Sequence, residues 1–318
     1  MMSTRVPCIC VIAGVLLLGT CPAVSQPPQP QAPQNLKEDL KARSEQFQSR
    51  VDEAARAVEN DPRLARLTHQ QRKDLIEFIA GNMLFTLTHE LGHALISEMG
   101  LYVLGREEDA ADSFAVVGML NVGTAVSDRI LVAAATGWFM SDKRNQALGR
   151  EPVLYDEHSL DKQRAYQIVC LMVGSDPDRF AEIAEKANLP EDRQETCQGD
   201  YSNASWSWAT ALKPHVRPAD RPKQKIDAVY GPGGGEYDAF AQAFRIVRLL
   251  ETVANFAAER YVWRRPITLE MQTCGTPGAR WDLSAQKIVI CYEMAMDFAL
   301  LYRDYGLRPI TEPATKLK

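Results

Sequence analysis

Thr88-His89-Glu90-Leu91-Gly92-His93-Ala94, followed after a short link by Gly105-Arg106-Glu107-Glu108-Asp109-Ala110-Ala111-Asp112, decides how this chain is read. The first stretch sits in a helical pattern that runs from Met83 to Met99 and stops at Gly100. On a helix, an i,i+4 spacing puts His89 and His93 on one face about one turn apart. Both imidazoles can then reach a single zinc ion at roughly 2 Å. Glu90 projects to the side of the pair, where it can take a proton from a water acidified by the metal. The rival reading is an amphipathic core helix whose histidines are surface or hydrogen-bonded residues.

Catalytic zinc needs a third protein ligand and an open position. The acidic run Glu107 to Asp112 supplies candidates on a helix expected over Glu107 to about Leu120, and two helices joined by so short a link must pack as neighbours. Glu108 and Asp112 share a face, whereas Glu107 and Asp109 lie about 100° to either side of Glu108. Ala110 and Ala111 permit close helix approach. That arrangement suits one carboxylate on the metal and one that orients a ligand.

The pattern formed by Glu108, Ala111 and Asp112 after His89-Glu90-Leu91-Gly92-His93 resembles the gluzincin peptidases, the CAAX-processing proteases among them. The resemblance implies Glu108 as third zinc ligand and Asp112 as the support of a histidine. A closer resemblance is to a bacterial family of candidate metallopeptidases of unknown function. It rests on His89 to Ala94, on Gly105 to Asp112, and on Cys274-Gly275 with Ile290-Cys291-Tyr292-Glu293, and it extends through Asp156-Glu157-His158-Ser159 and Arg164. The implied fold is mainly α (α+β), a zincin-like helical active-site core with a small disulfide-bearing C-terminal β element. One departure stands out. In gluzincins a small sheet precedes the active-site helix, whereas the strand-like segments here come after it.

Working outward, residues 1–25 read as a signal peptide: Arg5, an apolar run from Cys8 to Gly19, and Ala23-Val24-Ser25 before Gln26. A lipoprotein anchor at Cys21 is the lesser alternative, because Thr20 fits poorly before the cysteine. Residues 26–35 are a Pro/Gln-rich tether. A helical core is expected over 36–212, a flexible Pro/Gly-rich connection over 213–236, and a helix-strand-helix segment over 237–318 that packs on the core. Within the core, Gly81-Asn82 reads as a break between two helices, and Leu160–Val173 and Pro177–Ala187 read as further helices. Beyond it, one helix is expected from Tyr237 to about Tyr261, strands over Ile267–Met271 and Lys287–Tyr292, and a last helix from Met294 to Tyr305.

Of seven cysteines, Cys170, Cys197, Cys274 and Cys291 remain beyond the leader. An even number in an oxidising compartment suggests two disulfides, and sequence order favours Cys170–Cys197 with Cys274–Cys291. The 41 acidic and 36 basic residues give a net charge of −5 with no basic run, which argues against a nucleic-acid partner. The apolar stretch Ile130–Met140 is bounded by Arg129 and Asp142 and reads as core, so no transmembrane helix is expected in the mature chain.

The expected function is therefore an exported, periplasmic or secreted, zinc-dependent metallopeptidase with one zinc per chain. It would hydrolyse peptide bonds of a peptide or protein substrate by a metal-activated water, with Glu90 as general base. The alternatives are a non-catalytic exported zinc-binding interaction module and a zinc hydrolase of cell-wall amide bonds. His158 reads as a capping or surface residue, with stabilisation of an oxyanion as its alternative role. Trp206 and Trp208 are expected to pack under the Cys197 loop.

Overall fold

The computed structural model describes residues 34–306, so the signal peptide, Cys21, most of the tether and the last twelve residues lie outside the described residues. The chain divides into two units, Met1–Asp39 and Leu40–Lys318. Of the first, only Gln34–Asp39 is described, as the opening of helix α1 (Gln34–Ala57). The second holds the rest of α1 and every other described element.

The architecture is mainly helical with a small sheet. Val51, Ala54 and Ala55 of α1, and Val58 just after it, are fully buried, as their helical spacing predicts. Helix α2 (His69–Met99) opens with the expected capping box, Gln71 N–H donating to Thr68 Oγ1 and Thr68 N–H to Gln71 Oε1, and ends at Gly100 in the left-handed region. It runs unbroken through Gly81-Asn82, contrary to the sequence expectation. Gly81 is there for packing: a Cβ would lie 2.7 Å from that of Ala133 on α4 (Ala125–Ala147). Asn82 Nδ2 donates to Phe78 O and Ala133 O, so its amide pins the same crossing. Between these two helices runs α3 (Glu107–Val122).

Helix α5 (Asp161–Ser175) comes next, then the short α6 (Ala181–Lys186), for the chain from Pro177 to Phe180 forms turns where helix was expected. A helix not anticipated, α7 (Glu191–Leu212), is stapled to α5 by the Cys170–Cys197 disulfide. On α7, Trp208 is buried against Phe114 and donates to Ser113 Oγ, whereas Trp206 points to solvent, contrary to the expected burial of both.

The segment 213–236, expected to be irregular, contains strand β1 (Asp227–Tyr230). The single helix expected next is two, α8 (Asp238–Val247) and α9 (Leu249–Arg260), broken where Arg248 takes φ +57°. Strands β2 (Thr268–Gln272), β3 (Ala279–Asp282) and β4 (Lys287–Cys291) lead to helix α10 (Tyr292–Leu301), whose end passes into a wider turn over Tyr302–Gly306. The sheet order is β1-β2-β4-β3, parallel except for β3 against β4. Cys274 is bonded to Cys291, and the Glu293 carboxylate accepts from the backbone N–H of Cys274 and Gly275, so the β2–β3 link is fastened twice.

The sheet returns to cover the helix that carries the histidines. Edge strand β3 lies along α2, where Trp281 Nε1 donates to Ser97 Oγ at 2.8 Å and Arg265 pairs with the buried Glu98 carboxylate. The bidentate Arg144–Asp297 pair ties α4 to α10. No described helix is long and apolar enough to cross a membrane.

Candidate metal centre

The turn after Gly100 is short enough that α3 begins beside the last turns of α2, and Gly92 makes the approach close. A Cβ there would sit 3.1 Å from Ala111 Cα. The first turn of α3 holds Glu107, Glu108 and Asp109, acids favoured at that end by the helix dipole. This brings Glu108 Oε2 to 3.0 Å from His89 Nε2 and 3.3 Å from His93 Nε2, and the two Nε2 atoms are 3.2 Å apart.

The far side of each ring is held by a carboxylate. Asp112 Oδ1 lies 2.8 Å from His89 Nδ1, and Glu107 Oε1 2.8 Å from His93 Nδ1. An ionised carboxylate only accepts, so each Nδ1 carries a hydrogen, and the hydrogen that each Nε2 shares with Glu108 is the one an ion displaces. With those protons gone, three lone-pair donors converge. Donors at about 2.0–2.1 Å from a tetrahedral ion stand about 3.3 Å apart, which the observed spacings match. His89, His93 and Glu108 are accordingly a group able to hold one ion and leave one position open.

Arg164 backs the arrangement. Its Nε and Nη2 donate to Asp112 Oδ2 and Oδ1, both at 2.7 Å, and its guanidinium stacks 3.8 Å from the ring centroid of Trp138. Burial would push the Asp112 carboxyl up, but Arg164 and His89 outweigh it and hold it at about 2. For His93, burial opposes the charged ring, yet Glu108 and Glu107 raise it to about 9. His89 moves the same way, its burial outweighed by Asp112 and Glu108. Glu108 is driven well below the carboxylate range, because His158, His89 and His93 overcome the effect of its burial.

Glu90 is buried beside the histidines, and burial raises its carboxyl above the usual range, with the two rings partly offsetting this. The N–H of Trp281, on β3, donates to it. It opens onto a groove of about 690 Å³ whose walls include Phe85, Trp138, His158, Ala279 and Met294.

His158 lies on the surface, as one of its two readings has it, but it caps no helix and does not stand free. Its Nε2 is 2.9 Å from Glu108 Oε2 and its Nδ1 3.2 Å from Asp156 Oδ1, while Leu160 takes the N-cap of α5. Asp109 faces away from the centre and accepts from Ser159 Oγ at 2.7 Å. Sequence reasoning missed Glu107. It placed that residue off the metal face, without asking which way His93 turns its Nδ1.

A helical protein whose His, His and Glu side chains converge on one point beside a buried glutamate belongs to the class built around a metal centre. Residues 50–212 match the family described as "Putative metallopeptidase", and the chain belongs to that family. The matched span holds the whole donor set and ends before the sheet, so the β3 wall lies outside it. No curated protein and no solved structure matches the chain.

Proposed function

We propose that this protein is an exported zinc-dependent peptidase of gluzincin type. His89, His93 and Glu108 hold the ion, Asp112 orients His89, and Glu90 is the general base. The observation that carries the reading is the convergence of two imidazole Nε2 atoms and one carboxylate oxygen within 3.3 Å of one another, beside a buried glutamate that opens onto a groove. The donor set suits zinc, which takes imidazole nitrogen and carboxylate oxygen in this number. When bound, the ion supplies Lewis acidity, polarising a peptide carbonyl and lowering the pKa of a coordinated water to about 7.

The residues divide the remaining work. Glu90 accepts the proton of the attacking water and returns it to the departing amine. Its raised pKa supports the first step, because a carboxylate whose pKa lies nearer neutrality is the stronger base toward the water. His158, held at Nδ1 by Asp156, would donate through Nε2 to a developing oxyanion once Glu108, the present partner of that nitrogen, turns to the ion. The free edge of β3 can take an extended substrate backbone as an added strand alongside α2. Export is supported by the two disulfides, which persist in oxidising compartments. A non-catalytic zinc module would need no buried base beside the donors, and Glu90 therefore favours the enzyme.

The test is metal analysis joined to digestion of a proteome-derived peptide library. We expect one zinc per chain, cleavage by the native protein, and a Glu90→Gln variant that keeps zinc and cleaves nothing above background. Zinc retained in full by both His89→Ala and His93→Ala would overturn the ligand assignment. Turnover undiminished in Glu90→Gln would remove Glu90 from the mechanism, and cleavage confined to cell-wall amides would move the substrate class.

A further inference from the structure

Ten large apolar side chains are exposed among the described residues, and six of them lie on two loops that meet at the metal centre. The first loop, residues 100–106, joins α2 to α3 and presents Tyr102 and Leu104 at 98% and 101% exposure. The second, residues 148–160, joins α4 to α5 and presents Leu154 and Tyr155 at 76% and 93%, with Leu148 and Val153 beside them. Side chains so fully exposed gain nothing from folding, and gathered on adjoining loops they are the kind of surface that a partner covers.

The loops are fastened to each other and to the centre. Ser159 Oγ donates to Asp109 Oδ1 and accepts from Arg106 Nη1, and His158 contacts Glu108. Residues 150–153 of the second loop also line the groove that Glu90 opens onto. The second loop thus borders the groove, and the first is joined to it through Arg106 and Ser159.

Its charge selects the occupant. Exposed on the loops and the first turn of α3 are Glu107, Asp109, Glu151, Asp156 and Glu157, and the groove adds Asp142 and Asp161. The cations there are fewer: Arg106 and Arg150, on the neutral Ser159 and Asn145, Lys162 beside Asp161, His158, paired with Glu108 and Asp156, and Arg164, spent on Asp112. Anionic lipid headgroups would be repelled. A second copy meeting face to face would set acid against acid.

We propose that this surface docks a polypeptide rich in both basic and apolar residues, and that such polypeptides are the substrate class of the centre. The proposal rests on the peptidase reading for its second half only. Apolar side chains of the occupant cover the tyrosines and leucines of the loops, and lysine or arginine side chains meet the acids between them. The extended backbone continues into the groove.

The experiment measures anisotropy of two labelled peptides on the zinc-loaded Glu90→Gln protein, one carrying lysines among leucines and tyrosines, the other with every lysine replaced by aspartate. We expect the cationic peptide to bind at least about tenfold tighter, with affinity falling as salt rises. The paired variants Tyr102→Ser/Leu104→Ser and Leu154→Ser/Tyr155→Ser should each weaken it about fivefold or more with zinc affinity unchanged. Glu151→Lys/Glu157→Lys should narrow or reverse the preference. Equal binding of both peptides, indifference to the loop variants, or binding to neutral lipid vesicles in place of peptide would overturn the proposal. If the cationic peptide binds as expected and the native protein never cleaves it, the peptidase reading falls and the docking surface stands. Cleavage without regard to charge would do the reverse.

Discussion

At the centre, two carboxylates do the same task for two histidines under different conditions. The Asp112 side chain is 6% exposed and also braced by Arg164, whereas that of Glu107 is 50% exposed and surrounded by water on its other side. A carboxylate that fixes a ligand tautomer contributes about 10–100-fold to metal affinity, and solvent screens the exposed one. Asp112→Asn is therefore expected to weaken zinc by about 10–100-fold and Glu107→Gln by less, about 2–5-fold. Asp109→Asn, which can still accept from Ser159, should leave affinity unchanged. Competition against a chelating dye orders the three. Equal losses in all three would point to a merely acidic helix end. The same titration has a pH dependence of known sign. His93 of the metal-free chain loses its proton only near pH 9, above the ordinary imidazole value of 6.5, and His89 is shifted the same way. The ion must displace those protons, so apparent affinity should rise between pH 6.5 and 9, by about one log unit per pH unit for each proton released, and level off above. An affinity flat over that range would contradict the assignment.

Among the elements, the crossing of α2 and α4 shows how a residue type can be read two ways. Glycine and asparagine in a helical pattern read locally as a break, because both favour turns. Here they serve a contact between helices, Gly81 by its missing Cβ and Asn82 by its amide on Ala133 O. Gly81→Ala gains about 1 kcal/mol of helix propensity but forces its methyl against Ala133, an overpacking that costs about 1–3 kcal/mol. The expected net effect is destabilisation by up to about 2 kcal/mol in chemical denaturation. Asn82→Ala removes two hydrogen bonds and the side chain that fills the crossing, for about 1–3 kcal/mol, while Ala133 O keeps its bond within α4. Neither substitution touches the donors, and zinc affinity should hold in both. The unanticipated α7 has a similar cause. Its sequence is polar along most of its length, and only Cys197, Trp208 and Leu212 are buried, so the period that announces a helix is faint.

Over the whole molecule, the two disulfides staple different layers. Cys170–Cys197 closes 27 residues between α5 and α7, and Cys274–Cys291 closes 17 residues around the hairpin that forms the β3 wall. Loops of that size limit the unfolded chain by roughly 3 kcal/mol each, a large share of an ordinary domain's stability. Cys274→Ser/Cys291→Ser should lower the melting temperature measurably while Glu293 keeps the β2–β3 link seated, so the protein should still bind zinc. Non-reducing peptide mapping of native material checks both pairings, and four free thiols would count against export.

The sequence by itself brought His89, His93 and Glu108 together as the proposed donors, because an i,i+4 pair and a second acidic helix one short link away are local geometry, fixed by the helical repeat before any packing occurs. It likewise determined the helical class, the two caps of α2 and the even cysteine count. Only the tertiary structure decided what surrounds those donors. The place of His158 depends on a loop from α4 to α5, the partner of Glu90 on an edge strand nearly two hundred residues away, and the brace on Asp112 on Arg164 stacked against Trp138. The order of the sheet was equally out of reach, since strands as short as β1 and β3 carry four residues each and acquire their register only from the neighbours they pair with.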